Sequence, residues 1–187
     1  MENKILVSIA IPTWNRAPYL ENLLNNILPQ ARESKERVEV CISNNCSTDN
    51  TREVVTKFKE KYPDLIKYNE NKKNLGADTN ILKVMEMSEG DFIWTFGDDD
   101  NVIENGLSEV VKFLKKIPKE NIGLVVLKTE TYFFDKQTGK KTVYYSSLDK
   151  NQSEIYKINK KDIIGLSFPD IIFISGLIFN NRIVKKI

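Results

Sequence analysis

The sequence alternates short apolar runs with amphipathic segments, and this alternation constrains the fold more than any other feature. The apolar runs, rich in β-branched residues, cover 5–11, 38–42, 65–68, 92–96 and 122–127. The segments with apolar residues at helical spacing cover 17–28, 51–62, 77–87 and 106–116. Strand and helix in alternation predict parallel βαβ units with helices on both faces of one sheet. The fold class is therefore α/β, with a Rossmann-like, mostly parallel sheet.

The prolines, the change of pattern after Thr129 and the chain length refine this prediction. We expect Pro12 to end the first strand and Pro29 to follow the first helix, because proline cannot donate a main-chain hydrogen bond. After Thr129 the pattern changes, and 132–134 and 142–145, on either side of a turn, predict a small β-hairpin attached to the sheet. A chain of 187 residues suits a single domain, which we place at 1–187.

The composition limits the classes of partner. A formal net charge of +2 gives no polyelectrolyte character, so we expect no nucleic-acid partner. Residues 136–187 carry 10 basic and 4 acidic side chains. A solvated surface explains this excess in the ordinary way, and an anionic acceptor or peripheral contact with a membrane is the alternative.

The cysteines and the hydropathy bear on location. Cys41 lies in an apolar run and Cys46 in a turn, and the chain has no His, so neither thiol resembles part of a zinc site. Residues 1–4 are polar and the apolar run that follows stops at Pro12, so we expect no secretory leader, and no apolar stretch is as long as a membrane span. We expect a cytoplasmic protein, soluble or peripheral at the inner face of the membrane.

Three turns are the candidate site, because ligands of open parallel sheets bind beyond the carboxyl ends of the strands. These turns are 12–16, 43–49 and 97–101. The third contains three adjacent carboxylates, Asp98, Asp99 and Asp100, whose repulsion something positive should compensate. Mg²⁺ or Mn²⁺ takes such oxygen ligands, often together with a substrate phosphate. The alternative is a plain turn that caps the helix starting near Gly106.

The other two turns offer groups for a flat ligand. Trp14 follows a strand and could stack on a nucleobase, or it could pack against a neighbouring loop. Asn44 and Asn45 could hydrogen-bond the edge of a base, although they also suit a turn. We expect 47–49 to cap the next helix.

Five motifs in order resemble the family-two glycosyltransferases of the GT-A fold, and among them the abequosyltransferase-type enzymes of bacterial surface polysaccharide synthesis. The motifs are 11–16, 43–51, Asn74-Leu75-Gly76 with Asn80, Gly90-Asp91-Phe92, and 96–100. Beyond about residue 130 the resemblance is confined to 175–179 and Arg182, which are similar to the acceptor-side strand of the family.

The resemblance implies a nucleotide-sugar donor, UDP-, CDP- or dTDP-linked, and a saccharide or lipid-linked saccharide acceptor. It implies Mn²⁺ or Mg²⁺ as cofactor, with Asp98 and Asp100 as metal residues, Asp98 also lying near the ribose. The donor-binding residues implied are Pro12, Thr13, Trp14, Asn15, Arg16, Asn44, Asn74, Asn80, Asp98 and Asp99. Asn44 departs from the family, which commonly has Asp there, so the choice between uridine and cytidine donors stays open.

The resemblance further implies inverting displacement, in which a carboxylate base deprotonates the acceptor hydroxyl. We expect 1–130 to bind the donor and 131–187 to begin the acceptor-side part of a truncated chain, with the base beyond Ile187. Asp170 is the alternative base, although it suits a turn before an expected strand at 171–174. Two rivals remain: a non-catalytic nucleotide-sugar-binding module, and a sugar nucleotidyltransferase, disfavoured because the first turn lacks glycine. The oligomeric state is open.

Overall fold

The computed structural model describes residues 4–34, 36–117, 122–127, 130–134, 141–145 and 174–185. The strands are β1 (Val7–Thr13), β2 (Val38–Asn44), β3 (Ile66–Glu70), β4 (Phe92–Thr95), β5 (Leu124–Val126), β6 (Glu130–Phe134), β7 (Lys141–Tyr145) and β8 (Leu177–Asn180). The helices are α1 (Ala17–Glu33), α2 (Thr51–Lys61), α3 (Ala77–Glu86), α4 (Gly106–Lys116) and α5 (Asn181–Val184), with a 3₁₀ turn at Ile174–Gly176. Among these described helices, none is long and apolar enough to cross a bilayer.

The main sheet has six strands in the order β3-β2-β1-β4-β8-β5. β1 pairs in parallel with β2 and β4, and β2 pairs in parallel with β3. β8 is antiparallel to both of its neighbours, β4 and β5. The predicted α/β class and mostly parallel sheet are confirmed. The strand order reverses between β1 and β4, which is where ligands of such sheets bind.

Both faces of the sheet are covered, as a nearly continuous apolar strand requires. On β1, Ile9 and Ile11 join the larger core cluster, which includes the buried face of α1. The intervening Ala10 joins a second cluster with Val84 and Met85 of α3. The period-two alternation of side chains along a strand therefore divides β1 between two layers of helix.

The hairpin at β6 and β7 forms where it was predicted, with antiparallel pairing. Among the described strands it forms a two-stranded sheet of its own, so it adds no strand to the main sheet. The strand expected at 171–174 is wrong for Ile174, which lies in the 3₁₀ turn. The other three positions are outside the described residues.

The predictions that Pro12 ends β1 and that Pro29 follows α1 are both wrong. Each proline is tolerated inside its element, Pro12 because of how β1 pairs with its neighbours and Pro29 because it is exposed to solvent. Pro12 lies inside β1, opposite Ser43 of β2, whereas the pairing with β4 extends only to Ala10. The missing N–H of Pro12 therefore costs no bond to β4. Pro29 lies inside α1, where it and Asn25, the residue one turn earlier, are both exposed. Water can satisfy the carbonyl group that Pro29 leaves without a helical donor.

Candidate functional site

The three turns at the carboxyl edge of the sheet lie together, as predicted. The main chain joins the first two, because the Asn45 N–H donates to the Thr13 carbonyl at 2.9 Å. A side chain joins the first and third, because the Thr13 hydroxyl donates to Oδ2 of Asp98 at 2.7 Å. Thr13 and Asp98 are 85 residues apart in sequence, so their contact depends on the parallel pairing of β1 with β4.

The acidic segment is a tight turn closed by a hydrogen bond from the Asp100 N–H to the Gly97 carbonyl at 3.2 Å. Asp98 is buried and Asp99 is exposed. A Cβ at position 97 would lie 2.7 Å from Oδ2 of Asp100 and 3.1 Å from Oδ1 of Asp99. Gly97 therefore makes the room in which these carboxylates converge.

The acidic turn does not cap the following helix. The residue that precedes α4 is Asn105, in the left-handed region with φ 60°, and it makes no side-chain capping bond. The alternative explanation of the acidic run as a helix cap is therefore wrong. The carboxylates remain as groups of the site.

Arg16 supplies part of the positive charge that the acidic turn was expected to need. Its Nη2 donates to Oδ2 of Asp99 at 2.6 Å, and its Nε lies 3.1 Å from Oδ1 of Asp98. The guanidinium also lies 4.8 Å from the centre of the Tyr19 ring, within cation–π range. Sequence reasoning assigned this compensation to a divalent ion alone and missed the share of Arg16.

Ser175 is a residue of the site that sequence reasoning did not single out. Its hydroxyl accepts from the Gly97 N–H at 2.7 Å and donates to Oδ2 of Asp100. Its carbonyl accepts from Nε1 of Trp94 at 2.8 Å. Ser175 thus fastens the acidic turn to the segment that leads into β8. The signal was present, because Ser175 opens the 175–179 run that resembles the acceptor-side strand.

Burial shifts the ionisation of the acidic turn. Burial raises the pKa of Asp98 to about 6, although the hydrogen bond from Thr13 and the charge of Arg16 lower it. Burial also raises the pKa of Asp100, against the hydrogen bond from Ser175. Carboxylates that ionise reluctantly at a sheet edge are typical of functional sites. Further positive charge would stabilise both.

The first turn holds Trp14 on the surface, where its side chain is 50% exposed. The neighbouring Asn15 has φ 53°, a conformation that asparagine tolerates better than most residues. Its N–H donates to Oγ of Ser47 at 2.9 Å, and its Oδ1 accepts from the Thr48 N–H at 2.7 Å. Packing leaves half of Trp14 exposed, and stacking of the indole on a base stays a prediction.

Asp49 ties two helices to the site. Its Oδ1 accepts from the Thr51 N–H at 3.1 Å, at the start of α2. Its Oδ2 accepts from the Ala17 N–H at 3.0 Å, at the start of α1. The cap position of α2 is Asn50, which makes no side-chain capping bond. Asp49, one residue earlier, bonds the first N–H of the helix, so the predicted capping by 47–49 holds only in this form, and the bond to α1 is an addition to it.

Asn44 is fully buried at the end of β2. Its Nδ2 donates to the Tyr68 hydroxyl at 3.0 Å, and its Oδ1 accepts from the Ser47 N–H at 3.0 Å. The Tyr68 hydroxyl in turn donates to Oε2 of Glu70 at 3.1 Å. The Asn44 amide therefore uses one N–H donor and its oxygen to hold the second turn in place. Contact with a base stays a prediction.

Asn74 and Asn80 support the same turn from behind. Oδ1 of Asn74 accepts from Nδ2 of Asn45 at 2.9 Å. Asn80 is buried, its Oδ1 accepting from Nδ2 of Asn71 at 2.9 Å and its Nδ2 donating to the Ser43 carbonyl at 2.9 Å. The structure thus gives Asn80 a supporting position, one layer beneath the surface of the turn.

The chemistry of the acidic turn fits a cation that is shared with a ligand. Among the described residues, no three His, Cys, Asp or Glu side chains converge to hold a metal ion by themselves. Mg²⁺ is commonly held by one or two carboxylates plus substrate phosphates. Asp100, which accepts from a neutral hydroxyl, fits this role better than Asp98, whose oxygens face Thr13 and Arg16. Asp170 lies outside the described residues.

Comparison with known proteins gives a family and a fold. A model described as glycosyl transferase family 2 matches residues 8–179. Over 110 residues the sequence is 40% identical to the abequosyltransferase RfbV of Salmonella typhimurium, and the match covers 59% of this chain and 33% of that protein.

Two solved structures share the fold. Staphylococcus aureus TarS superposes with a TM-score of 0.70 at 22% identity, over 97% of this chain and 29% of that one. The mannosyltransferase PcManGT from Pyrobaculum calidifontis, solved with GDP-Man and Mn²⁺, gives a TM-score of 0.56 at 26% identity, over 66% of this chain and 35% of that one. The expected GT-A fold is confirmed. The chain spans about a third of RfbV, TarS and PcManGT.

Proposed function

This chain belongs to glycosyl transferase family 2, and we propose that it binds a nucleotide-sugar at the carboxyl edge of its sheet. The sugar passes to an acceptor hydroxyl with inversion at the anomeric carbon. The acceptor is a saccharide or lipid-linked saccharide of a bacterial cell surface. The similarity to an abequosyltransferase supports this part of the proposal.

One observation carries the proposal: an exposed indole and a partly buried acidic turn lie on the same edge, joined through Thr13. A nucleoside diphosphate has a flat base at one end and a charged diphosphate at the other. Trp14 is exposed beside a turn that hydrogen bonds hold in place, which suits stacking on a base. Asp98, which Thr13 contacts, begins the acidic turn.

The roles of individual residues follow this division. Trp14 stacks on the base, while the buried Asn44 holds the second turn in place beside it. Asn15, Asn74 and Asn80 maintain these two turns through their hydrogen bonds. Pro12 and Thr13 end β1 beneath the ligand. Asp98 and Asp99 lie towards the ribose and diphosphate, near Arg16.

Mn²⁺ or Mg²⁺ is the proposed cofactor, with Asp100 as the main protein ligand and Asp98 beside it. When bound, the ion supplies charge stabilisation for the departing diphosphate. Ser175 orients the carboxylate of Asp100 by donating to its Oδ2. Gly97 keeps the space between Asp99 and Asp100 open. PcManGT, a protein of the same fold, was solved with this type of ion.

Inversion needs a base within hydrogen-bond reach of the acceptor hydroxyl. Asp170, the candidate that the sequence offers within the chain, lies outside the described residues. A transfer assay with sugar donor and acceptor separates an enzyme from a module that only binds the donor. Absence of transfer with intact nucleotide binding would favour the binding module.

The first experiment is a nucleotide panel. UDP, CDP, GDP and dTDP are titrated calorimetrically, first with Mn²⁺ and then with EDTA. We expect one pyrimidine nucleotide to bind most tightly, and to bind more tightly with Mn²⁺. Failure of all four nucleotides to bind would overturn the proposed function.

Matched variants then locate the site. Trp14→Ala should weaken nucleotide binding by about 1–3 kcal/mol through loss of stacking. Ile183→Ala is the control, because Ile183 has a similar exposed fraction, 46% against 50%. It follows β8 at the opposite edge of the sheet, where Asn180 pairs with Phe92. Equal effects of the two variants would return Trp14 to a packing role.

A second pair tests the metal assignment. Asp100→Asn should remove the difference in nucleotide affinity between Mn²⁺ and EDTA, since an amide is a poor ligand for such an ion. Asp64→Asn makes the same change at an exposed position that precedes β3, and should leave the difference intact. Metal-dependent binding retained in Asp100→Asn would count against Asp100 as a ligand.

A further inference from the structure

The charges of the acidic turn are only partly balanced by the protein. Asp98, Asp99 and Asp100 are adjacent, and Arg16 is the cation that contacts two of them. When all three carboxylates are ionised, one guanidinium against them leaves two negative charges. A divalent ion in the place of the guanidinium would leave one negative charge, so the ion compensates more of the acidic turn than Arg16 does. The diphosphate of a nucleotide would then bring two or more negative charges of its own.

Arg16 is held loosely on the carboxylates. Its Nε lies 3.1 Å from Oδ1 of Asp98, yet this buried nitrogen has no hydrogen bond of acceptable geometry. The better contact, from Nη2 to Asp99, joins side chains that are 41% and 48% exposed. Ion pairs this exposed contribute on the order of 1 kcal/mol or less. A competing anion can therefore draw the guanidinium away from Asp99 at little cost, whereas Asp98, whose side chain is 7% exposed, needs another cation when Arg16 leaves.

The main chain of Arg16, in contrast, is fixed. Its carbonyl accepts from the N–H groups of Tyr19 and Leu20 at the start of α1, both at 3.0 Å. The preceding Asn15 is bonded to Thr48. Only the side chain is left to change partners, with the Tyr19 ring beneath it as a stacking surface.

The amides at the start of α1 are already used, which leaves the guanidinium as the donor for an anion. Helix N-termini often bind phosphate through free N–H groups. Here the Ala17 N–H donates to Asp49, Pro18 has no N–H, and the next N–H groups donate to the Arg16 carbonyl. Arg16, which can contact two phosphate oxygens at once, is the natural substitute.

We propose that Arg16 is an exchangeable counter-ion: it rests on Asp98 and Asp99 in the free protein and moves to the diphosphate when a divalent ion takes its place. This inference rests on the proposed function, since it needs a nucleotide and an ion at this edge. The exchange couples the two ligands, because each removes the obstacle to the other. Ion binding frees the guanidinium for the phosphate, and the phosphate removes the guanidinium from the carboxylates.

The test is a linkage measurement on Arg16→Met. Binding of Mn²⁺ alone is followed by the loss of its free-ion electron paramagnetic resonance signal, and binding of UDP is measured by calorimetry with Mn²⁺ and with EDTA. The coupling factor is the ratio of UDP affinities in the two conditions, and by reciprocity UDP changes the Mn²⁺ affinity by that factor. In Arg16→Met we expect tighter binding of Mn²⁺ alone and a coupling factor lower by on the order of tenfold.

The matched control is Arg32→Met. Arg32 lies in the last turn of the same helix and also stacks on a tyrosine, Tyr62, at 4.2 Å. The Arg32→Met variant should leave the affinity for Mn²⁺ alone and the coupling factor unchanged. A coupling factor in Arg16→Met equal to that of the unaltered chain would overturn the exchange. If the guanidinium stayed on the carboxylates when UDP binds, its removal would change the Mn²⁺ affinity by the same factor with and without UDP, and the coupling factor would not change.

Two further experiments distinguish a failure of this inference from a failure of the proposed function. Inorganic pyrophosphate replaces UDP, and the same fall in coupling is expected. A fall with UDP but not with pyrophosphate would overturn the phosphate as the new partner. Asp99→Asn removes one resting place of Arg16, so pyrophosphate affinity in EDTA should rise several-fold, and a decrease would contradict the exchange. If the unaltered chain binds no nucleotide of the panel, the proposed function fails and the inference with it.

Discussion

The ionised, buried carboxylate of Asp98 should destabilise the folded protein, and Asp98→Asn tests by how much. The buried carboxyl has its pKa raised from 3.8 to about 6. Because the folded-state pKa lies above the unfolded value, ionisation favours the unfolded chain. The stability associated with this carboxyl is fully present below about pH 4 and is lost as the pH rises through 6.

The magnitude follows from the two pKa values. A tenfold change in a protonation equilibrium corresponds to about 1.4 kcal/mol, so the penalty above pH 6 is on the order of 3 kcal/mol. Asparagine has nearly the shape of the protonated acid, and its carbonyl can still accept from Thr13. Some of the gain is lost because an amide N–H₂ then faces Arg16. We expect Asp98→Asn to raise the free energy of unfolding at pH 8 by about 1–3 kcal/mol.

Urea unfolding at pH 8 and pH 5, in EDTA and without nucleotide, measures this gain. At pH 5 the gain should fall to roughly half, because Asp98 is then largely protonated in the folded protein. The control is the exposed Asp64→Asn, which should change stability by less than about 0.5 kcal/mol at either pH. A variant less stable than the unaltered chain at pH 8, or a gain that does not shrink at pH 5, would refute the reasoning.

Two other variants test the supporting hydrogen bonds by urea unfolding. Ser175→Ala should lower the free energy of unfolding by about 1–3 kcal/mol, because the Gly97 N–H and the carboxylate of Asp100 lose their partner; Ser108→Ala on α4 is the control, and equal losses would remove the special role of Ser175. Asn80→Ala should cost about 2–4 kcal/mol, since it leaves several buried groups beneath the second turn without partners. The exposed Asn25→Ala is its control, and a cost no larger than that control would contradict the network.

The elements of the α/β sheet could be predicted because their signals are local. Apolar periodicity located β1 to β4 and α1 to α4 to within two residues, except for the end of α1, which lies at Glu33 and not at 28. The general rule for parallel sheets then placed three turns on one edge, and the bond between Thr13 and Asp98 confirms that they meet. No family knowledge was needed for this step.

The proline errors show where local rules stop. A proline in a strand is costly only if a neighbour needs its N–H, and Pro12 lies past the last residue of β1 that pairs with β4. A proline in a helix is costly mainly where water cannot reach the freed carbonyl. Pro29 is tolerated because Asn25, whose carbonyl loses its helical donor, is exposed to water. The sequence alone does not reveal this exposure.

Ser175 and Arg16 show a different limit. The partner of Asp100 comes from a residue 75 positions later, and a strand order with β8 between β4 and β5 has no local signature. The charge argument correctly required a cation at the acidic turn. That argument did not consider Arg16, because Arg16 and Asp99 are 83 residues apart in the sequence and only the fold brings them together.

The insertion of β8 between β4 and β5 sets the order in which the protein can assemble. β1 to β4 and their helices are contiguous in the chain and can pair as they leave the ribosome. β5 must wait, because its neighbour in the main sheet is a strand made some fifty residues later. The hydroxyl that fastens the acidic turn arrives with the same late segment. Nascent chains can thus acquire most of their hydrophobic core well before their carboxylates are locked into place.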